Sequence, residues 1–165
     1  MSKILVSACL LGDPVRYDGK AKELHNHLLE PLLREDRIVR FCPEVAGGLP
    51  VPREAAEIQC SDGRAVIEEL ARVVTRGGTD VTDYFVAGAG KALALCRQHN
   101  IRVAVLTESS PSCGSAQIYD GSFSRKAKPG VGVTTALLQR NGVIVFSQHQ
   151  LEAAIKQLDC CSPGG

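Results

Sequence analysis

The chain of 165 residues predicts one doubly wound α/β domain with a mainly parallel sheet. Two observations carry that reading. Short, nearly continuous apolar runs, among them Ile4-Leu5-Val6 and Ile101–Leu106, alternate with stretches whose apolar residues fall at helical spacing. Strands buried on both faces have this unbroken hydrophobic character, and alternating strands and helices are the pattern of a parallel sheet covered on both sides. A hydrophobic fraction of 44% over this length is enough to bury one core.

Taken in order, residues 3–8 read as a buried strand, followed by a turn-rich stretch from Leu10 to Gly19. Residues 22–35 place Leu24, Leu28, Leu29, Leu32 and Leu33 at helical spacing, with Pro31 expected to kink or divide the helix. Residues 38–42 are a second strand, and 43–53 an irregular loop whose length and apolar content point to a functional role. Residues 64–76 stay open between helix and strand. A helix capped by Asp80 or Thr82 runs to about Asn100, with Phe85, Ala89, Ala92, Leu93 and Cys96 on one side. After a strand at 101–107, segments 116–119 and 122–125 flank Asp120-Gly121 and predict a small hairpin insertion near 116–125. Gly130–Thr134 opens a helix ended by Asn141-Gly142, Val143–Ser147 is a last strand and 150–158 a last helix. The expected architecture is a Rossmann-like domain over residues 1–158 with a flexible C-terminal tail at 159–165.

A net charge of +1 and a pI near 7.6 give no electrostatic footprint for nucleic acid, which needs a basic face or stripe. The best local candidate, Ser124-Arg125-Lys126-Ala127-Lys128, is short and reads as a solvated loop. No apolar run reaches the roughly 18 residues of a membrane helix, and Met1-Ser2-Lys3 leads straight into a strand rather than a signal peptide. A cytoplasmic protein is expected. In that reducing setting seven cysteines point to metal binding, catalysis or burial rather than disulfides. Cys96 belongs to a helical pattern and reads as a small core hydrophobe. Cys60 precedes a Ser-Asp-Gly loop, and Cys160 and Cys161 fall in the terminal segment, where incidental thiols are expected.

Cys9, Cys42 and Cys113 differ from these, because each follows a predicted strand at its carboxyl end. That edge is where open α/β sheets bind ligands. The loop holding Cys113, Glu108-Ser-Ser-Pro-Ser-Cys-Gly114, is dense in small polar groups, and Pro111 biases Ser110 toward an extended backbone. No local Cys-x-x-Cys pair exists, so a structural zinc site is not indicated. Three converging thiolates would leave one coordination position open and select zinc, copper(I) or an iron–sulfur cluster. Position alone does not separate this from three independently buried cysteines. Pro43 favours an extended Cys42, which turns Glu44 toward the same space as the Cys42 sulfur; a carboxylate there is a candidate acid or base, or else a surface glutamate. Ser109, Ser110 and Ser112 are candidate hydrogen-bonders or loop caps, with no adjacent histidine or lysine to make a hydrolase triad. His25 and His27 face apart on a helix, and Gly130-x-Gly132 is a weak anion signal. Arg16 and Asp18 serve the first loop, either as a salt-bridged turn or as a rim.

The motifs Cys9-Leu10-Leu11-Gly12 with Val15-Arg16-Tyr17-Asp18-Gly19, Cys42-Pro43-Glu44 with Gly47-Gly48-Leu49-Pro50, and Ser110-Pro111-Ser112-Cys113-Gly114 with Ile118-Tyr119-Asp120-Gly121 resemble those of the thiouracil desulfurases. The match spans roughly residues 3 to 158. The resemblance implies a [4Fe-4S] cluster held by Cys9, Cys42 and Cys113, whose free fourth iron takes the sulfur of the substrate. It implies that 2-thiouracil or 4-thiouracil becomes uracil plus sulfide without net redox change. Glu44 matches the family's catalytic carboxylate, and a serine of the central loop, Ser109 or Ser110, assists. Two alternatives stay open: another [4Fe-4S] Lewis-acid enzyme of hydratase or hydrolase type, and a non-enzymatic iron–sulfur redox sensor. A small thiouracil-like molecule is the expected partner, with no membrane and no nucleic acid; the sulfide acceptor is undetermined.

Overall fold

The computed structural model describes residues 1–161. In chain order the elements are β1 (Ile4–Ser7), α1 (Leu29–Arg34), β2 (Ile38–Phe41), α2 (Pro43–Ala46), β3 (Ala56–Ile58), α3 (Gly63–Ile67) and β4 (Val73–Thr75). They continue with α4 (Thr82–Gln98), β5 (Val103–Leu106), β6 (Gln117–Tyr119), β7 (Ala127–Pro129), α5 (Val133–Arg140), β8 (Ile144–Ser147) and α6 (Leu151–Cys160).

The main sheet has the order β2-β1-β5-β8 and all its pairs are parallel, as the unbroken apolar runs require. Its two central strands, β1 and β5, are buried along their whole length. Alternation along them divides the core. Ile4, Val6, Val103 and Val105 face Leu29 and Leu32 of α1 and Leu151, Ala154 and Leu158 of α6. Leu5, Ala104 and Leu106 face Ala92, Leu93 and Cys96 of α4 and Leu138 of α5. Each fully buried Leu or Ile contributes roughly 1.5–3 kcal/mol, so the faces hold the sheet from both sides. The chain leaves β1 for β2 on one flank and returns as β5 on the other. The switch point therefore lies between β1 and β5, and their carboxyl ends open a crevice there.

Two small antiparallel sheets, β3-β4 and β6-β7, stand beside this crevice. A third apolar cluster fixes them to α4 and α5: Ile58, Val73 and Ile118 pack with Phe85, Ala89 and Val133.

Several sequence expectations change. The helix expected at 22–35 begins only at Leu29, which puts Pro31 in the first turn, where its missing N–H is not needed. Residues 21–26 are irregular instead, Lys22 and Leu24 donating their N–H groups to the carbonyls of Cys9 and Leu10, and 27–28 turn into the helix. The 43–53 segment is not irregular throughout, since Pro43 starts the short α2. The open 64–76 stretch contains both forms, α3 and then β4, while β3 carried too short a pattern to be read. Asp120-Gly121 does not make a two-residue hairpin: β6 pairs with β7 through Tyr119↔Ala127, and residues 120–126 form a longer loop. The reason is tertiary. The N–H groups of Gly121 and Phe123 are drawn to the Glu57 carboxylate, at 2.9 and 3.2 Å. The last helix extends through Cys160 instead of ending at 158, and the expected tail residues 162–165 lie outside the described residues.

Candidate active site

Each of the three strand-end cysteines reaches the crevice by a different local device. Cys9 lies in a single 3₁₀ turn, Ala8–Leu11, that follows β1 directly. Cys42 is the extended residue between β2 and α2, held by Pro43 behind it. α2 is pressed onto α4: a Cβ at Gly88 would run into the Pro43 backbone, so only glycine there allows the approach that fixes Cys42 and Glu44. Cys113 sits in the loop after β5, pinned against the start of α5 by Val133 N–H to Pro111 O at 2.9 Å, Thr134 N–H to Ser112 O at 2.9 Å and the Thr135 hydroxyl to Cys113 O at 2.9 Å. Gly132 makes this seam possible, because a Cβ there would collide with the backbone of Ser112 and Cys113. Close packing, and not an anion cradle, accounts for the Gly-x-Gly pattern.

Cys9, Cys42 and Cys113 line one cavity of about 470 Å³ together with Glu44, Ser109 and Ser110. Burial pushes the Cys113 thiol up, and the nearby Glu44, Cys42 and Cys9 charges add to it. Burial likewise raises Cys9 and Cys42. Three desolvated thiols whose negative charges oppose one another are stabilised as thiolates by a cationic centre between them. Among the described residues, no three His, Cys, Asp or Glu side chains are gathered tightly enough to hold a single ion. Three thiols on one cavity, with a soft, all-sulfur donor set, fit an iron–sulfur cluster.

Glu44 occupies the first turn of α2 and is held at both oxygens. Its Oε1 accepts from Arg53 Nε at 3.1 Å and its Oε2 from the Ser112 hydroxyl at 2.9 Å. The pair is nearly enclosed, with side-chain exposure of 6% for Arg53 and 16% for Glu44. Arg53 is fixed further by the carbonyls of Pro50 and Val15, at 3.0 and 2.9 Å. Because the Ser112 proton is committed to Glu44, the 2.9 Å contact between Ser110 and Ser112 oxygens runs from Ser110 as donor. The Ser110 oxygen in turn accepts the N–H groups of Ser112 and Cys113, at 3.2 and 3.3 Å. The result is a directed chain, Ser110 to Ser112 to Glu44, that can pass a proton from the cavity to a carboxylate.

The sequence candidates therefore separate. Cys9, Cys42, Cys113, Glu44 and Ser110 share the cavity, and Glu44 and Ser110 are the two ends of its hydrogen-bond chain. Ser109 lines the cavity but its oxygen accepts from Gln117 Nε2 at 3.1 Å, outside that chain. Its backbone is left-handed at φ 67, held by Glu108. Burial pushes the Glu108 carboxyl up, yet the N–H groups of Gln117, Ala116 and Ser109 and the Ser115 hydroxyl outweigh it and hold the group below the usual range. Ser112 as the direct link to Glu44 was not assigned from sequence; the Ser-Pro-Ser spacing, which puts Ser110 and Ser112 two apart on a stiff backbone, was the available signal. Arg16 lies over the Tyr17 ring at the rim while Asp18 accepts Lys20 N–H, so these two form no salt-bridged turn. Cys96 is core, its thiol raised to about 11 by burial, and Cys60 and Cys160 are exposed.

A doubly wound sheet whose switch-point crevice collects three desolvated thiols beside a carboxylate relay defines a class of α/β proteins built around a soft-ligand centre. The model of the 2-thiouracil desulfurase family matches residues 4–150, and the chain belongs to that family. It is similar to the uncharacterized protein YbbK of Bacillus subtilis (strain 168), 43% identical over 148 residues covering 90% of this chain and 97% of that one. Among solved structures it matches the [4Fe-4S]-dependent thiouracil desulfidase TudS at 49% identity, with a TM-score of 0.88, over 97% of this chain and 99% of the other.

Proposed function

We propose that this chain is a [4Fe-4S]-dependent desulfurase that converts a thiolated uracil to uracil and sulfide without net redox change. Family membership and the likeness to TudS support the activity and the cofactor. The observation that carries the reading to individual residues is the convergence of Cys9, Cys42 and Cys113 with Glu44 on one cavity. In this reading the three cysteines hold the cluster. When bound, it supplies an iron without a protein ligand, a soft Lewis acid suited to the substrate's sulfur.

The chain's own residues supply the proton chemistry. Overall, water's oxygen replaces sulfur on the ring carbon and its two protons leave with the sulfur. Glu44 is the group that takes a proton, at Oε2, either directly or through Ser112 and Ser110, whose hydroxyls already point that way. Arg53 keeps the carboxylate in its orientation. The buried floor of the cavity, formed by Cys9, Ser112 and Cys113, limits the access of bulk water to the reacting centre. With a net charge of +1, free thiouracil is expected to be a better substrate than polymeric RNA, and a cytoplasmic location is the expected one. No helix among the described residues is long and apolar enough to cross a membrane.

The test is anaerobic purification with iron and sulfide counts, followed by sulfide release from 2-thiouracil and 4-thiouracil. About four irons per chain and stoichiometric uracil and sulfide are expected. A protein with full cluster and no turnover of either base would overturn the enzymatic reading, and redox cycling of that cluster would favour the sensor.

A further inference from the structure

Two buried hydroxyls outside the Glu44 relay address the cysteine sulfurs from the sheet side. Thr107, 8% exposed at the end of β5, places Oγ1 2.9 Å from Cys9 Sγ. Ser7, 3% exposed and the last residue of β1, places its hydroxyl 4.0 Å from Cys113 Sγ. The arrangement is crossed: the β5 end serves the thiol that follows β1, and the β1 end serves the thiol that follows β5. It is also directional. The Ser7 oxygen accepts Thr107 N–H at 3.0 Å, which leaves its own proton to point at sulfur. A ligating Cys9 carries no proton, so the Thr107–Cys9 contact then runs from the hydroxyl to the thiolate.

We infer that Thr107 and Ser7 are sulfur-directed donors that set the electron density of Cys9 and Cys113, and through it the reduction potential of the cluster and the Lewis acidity of its open iron. The inference rests on the reading that these cysteines hold the cluster. A hydrogen bond to a ligand sulfur draws off negative charge, which favours the reduced cluster and raises its potential. The same withdrawal leaves the iron more electron-poor and a better acceptor for a substrate's sulfur. Neither residue touches the substrate in this account; both are positioning and tuning residues.

The test uses the anaerobically purified holoprotein and three variants: Thr107→Val, which keeps the shape and removes the donor, Thr107→Ser, which restores it, and Ser7→Ala. Iron and sulfide are counted first, and the potential is then measured by spectroscopic redox titration. The expected result is a more negative potential in Thr107→Val, recovery in Thr107→Ser and a smaller negative shift in Ser7→Ala, as its longer contact predicts. Turnover of 2-thiouracil should fall about tenfold in Thr107→Val. A fully loaded Thr107→Val with an unchanged potential, or a shift that Thr107→Ser fails to reverse, overturns the inference. If Thr107→Val does not take up the cluster, Ser7→Ala decides: a potential equal to that of the unaltered protein overturns it, and a negative shift supports it. Absence of a cluster from the unaltered protein would instead overturn the parent reading.

Discussion

The two walls of the cavity are built differently. The inner wall is the edge of the parallel sheet, where Cys9, Ser112 and Cys113 are buried at 8%, 1% and 4% exposure and almost every polar atom is tied to a neighbour. The outer wall comes from loops around the two small sheets and the first loop, and it presents Arg16, Lys22, Arg76, Tyr119, Phe123 and Arg125 to the same space. Here the residues are half-buried or exposed, and Phe123 and Arg125 have left-handed backbones, at φ 58 and 61. Buried, over-determined groups can hold a reacting centre within a fraction of an ångström, whereas loop side chains can be exchanged without disturbing it. The comparison assigns chemistry to the inner wall and substrate recognition to the outer one.

The most severe way to break the inner wall is to remove a thiol. Cys9→Ala, Cys42→Ala and Cys113→Ala are each expected to abolish cluster binding, because a three-point site has no spare ligand. Cys60→Ala, Cys96→Ala, Cys160→Ala and Cys161→Ala should retain full iron. Iron and sulfide content of the seven variants measures this directly, and full iron in any of the first three would end the assignment.

Next in size is Glu44→Gln, which keeps the shape and removes the base. General acid–base groups contribute about 10²–10⁴-fold, so turnover should drop by about that factor with the cluster in place. The variant also leaves Arg53 without its anion in a nearly enclosed site, so a lower thermal midpoint should accompany the kinetic loss. If Glu44 serves only to anchor Arg53, the midpoint falls while turnover per cluster stays near normal. Ser112→Ala removes one hydroxyl of the relay and leaves the carboxylate. Since hydrogen bonds to charged groups are worth about 1.5–3 kcal/mol, turnover should fall about 10- to 100-fold, with KM little changed. Ser109→Ala, whose hydroxyl stands outside the relay, should retain most of the activity, and a larger loss there than in Ser112→Ala would reverse the assignment.

The same division separates what could be read from the sequence. Strand ends were legible because apolar runs stop just before Cys9 and Cys42 and at the head of the polar loop that holds Cys113, and the parallel topology brings such ends together. Glu44 was placed toward the cavity for a reason that changed: the sequence argument used an extended chain, while the structure uses the first turn of α2. Contacts that depend on strand order were not legible. The Thr107 hydroxyl meets Cys9 across 98 residues of sequence. The outer wall was misread most, since Asp120-Gly121 carries a strong local hairpin signal that a distant carboxylate overrides.

That carboxylate gives the smallest and most discriminating test. Glu57 is 7% exposed, lines the cavity, and holds the 120–125 loop by accepting the N–H groups of Gly121 and Phe123 on one oxygen. Gln59 Nε2 adds a bond to Gly121 O at 3.1 Å, and Arg76 lies over the Phe123 ring at 5.9 Å. Glu57→Ala removes the acceptor of both bonds but leaves Gln59 and the packing of Ile58, so the loop should loosen without detaching. The expected outcome is KM for the thiolated base raised about threefold to tenfold, with kcat, iron content and visible spectrum unchanged, a fraction of what two hydrogen bonds to a charged group are worth. Glu57→Gln keeps one acceptor oxygen and should fall between the two. A fall in kcat with KM unchanged would place Glu57 among the groups that move protons, and the outer wall would then share the chemistry that the comparison assigns to the inner one.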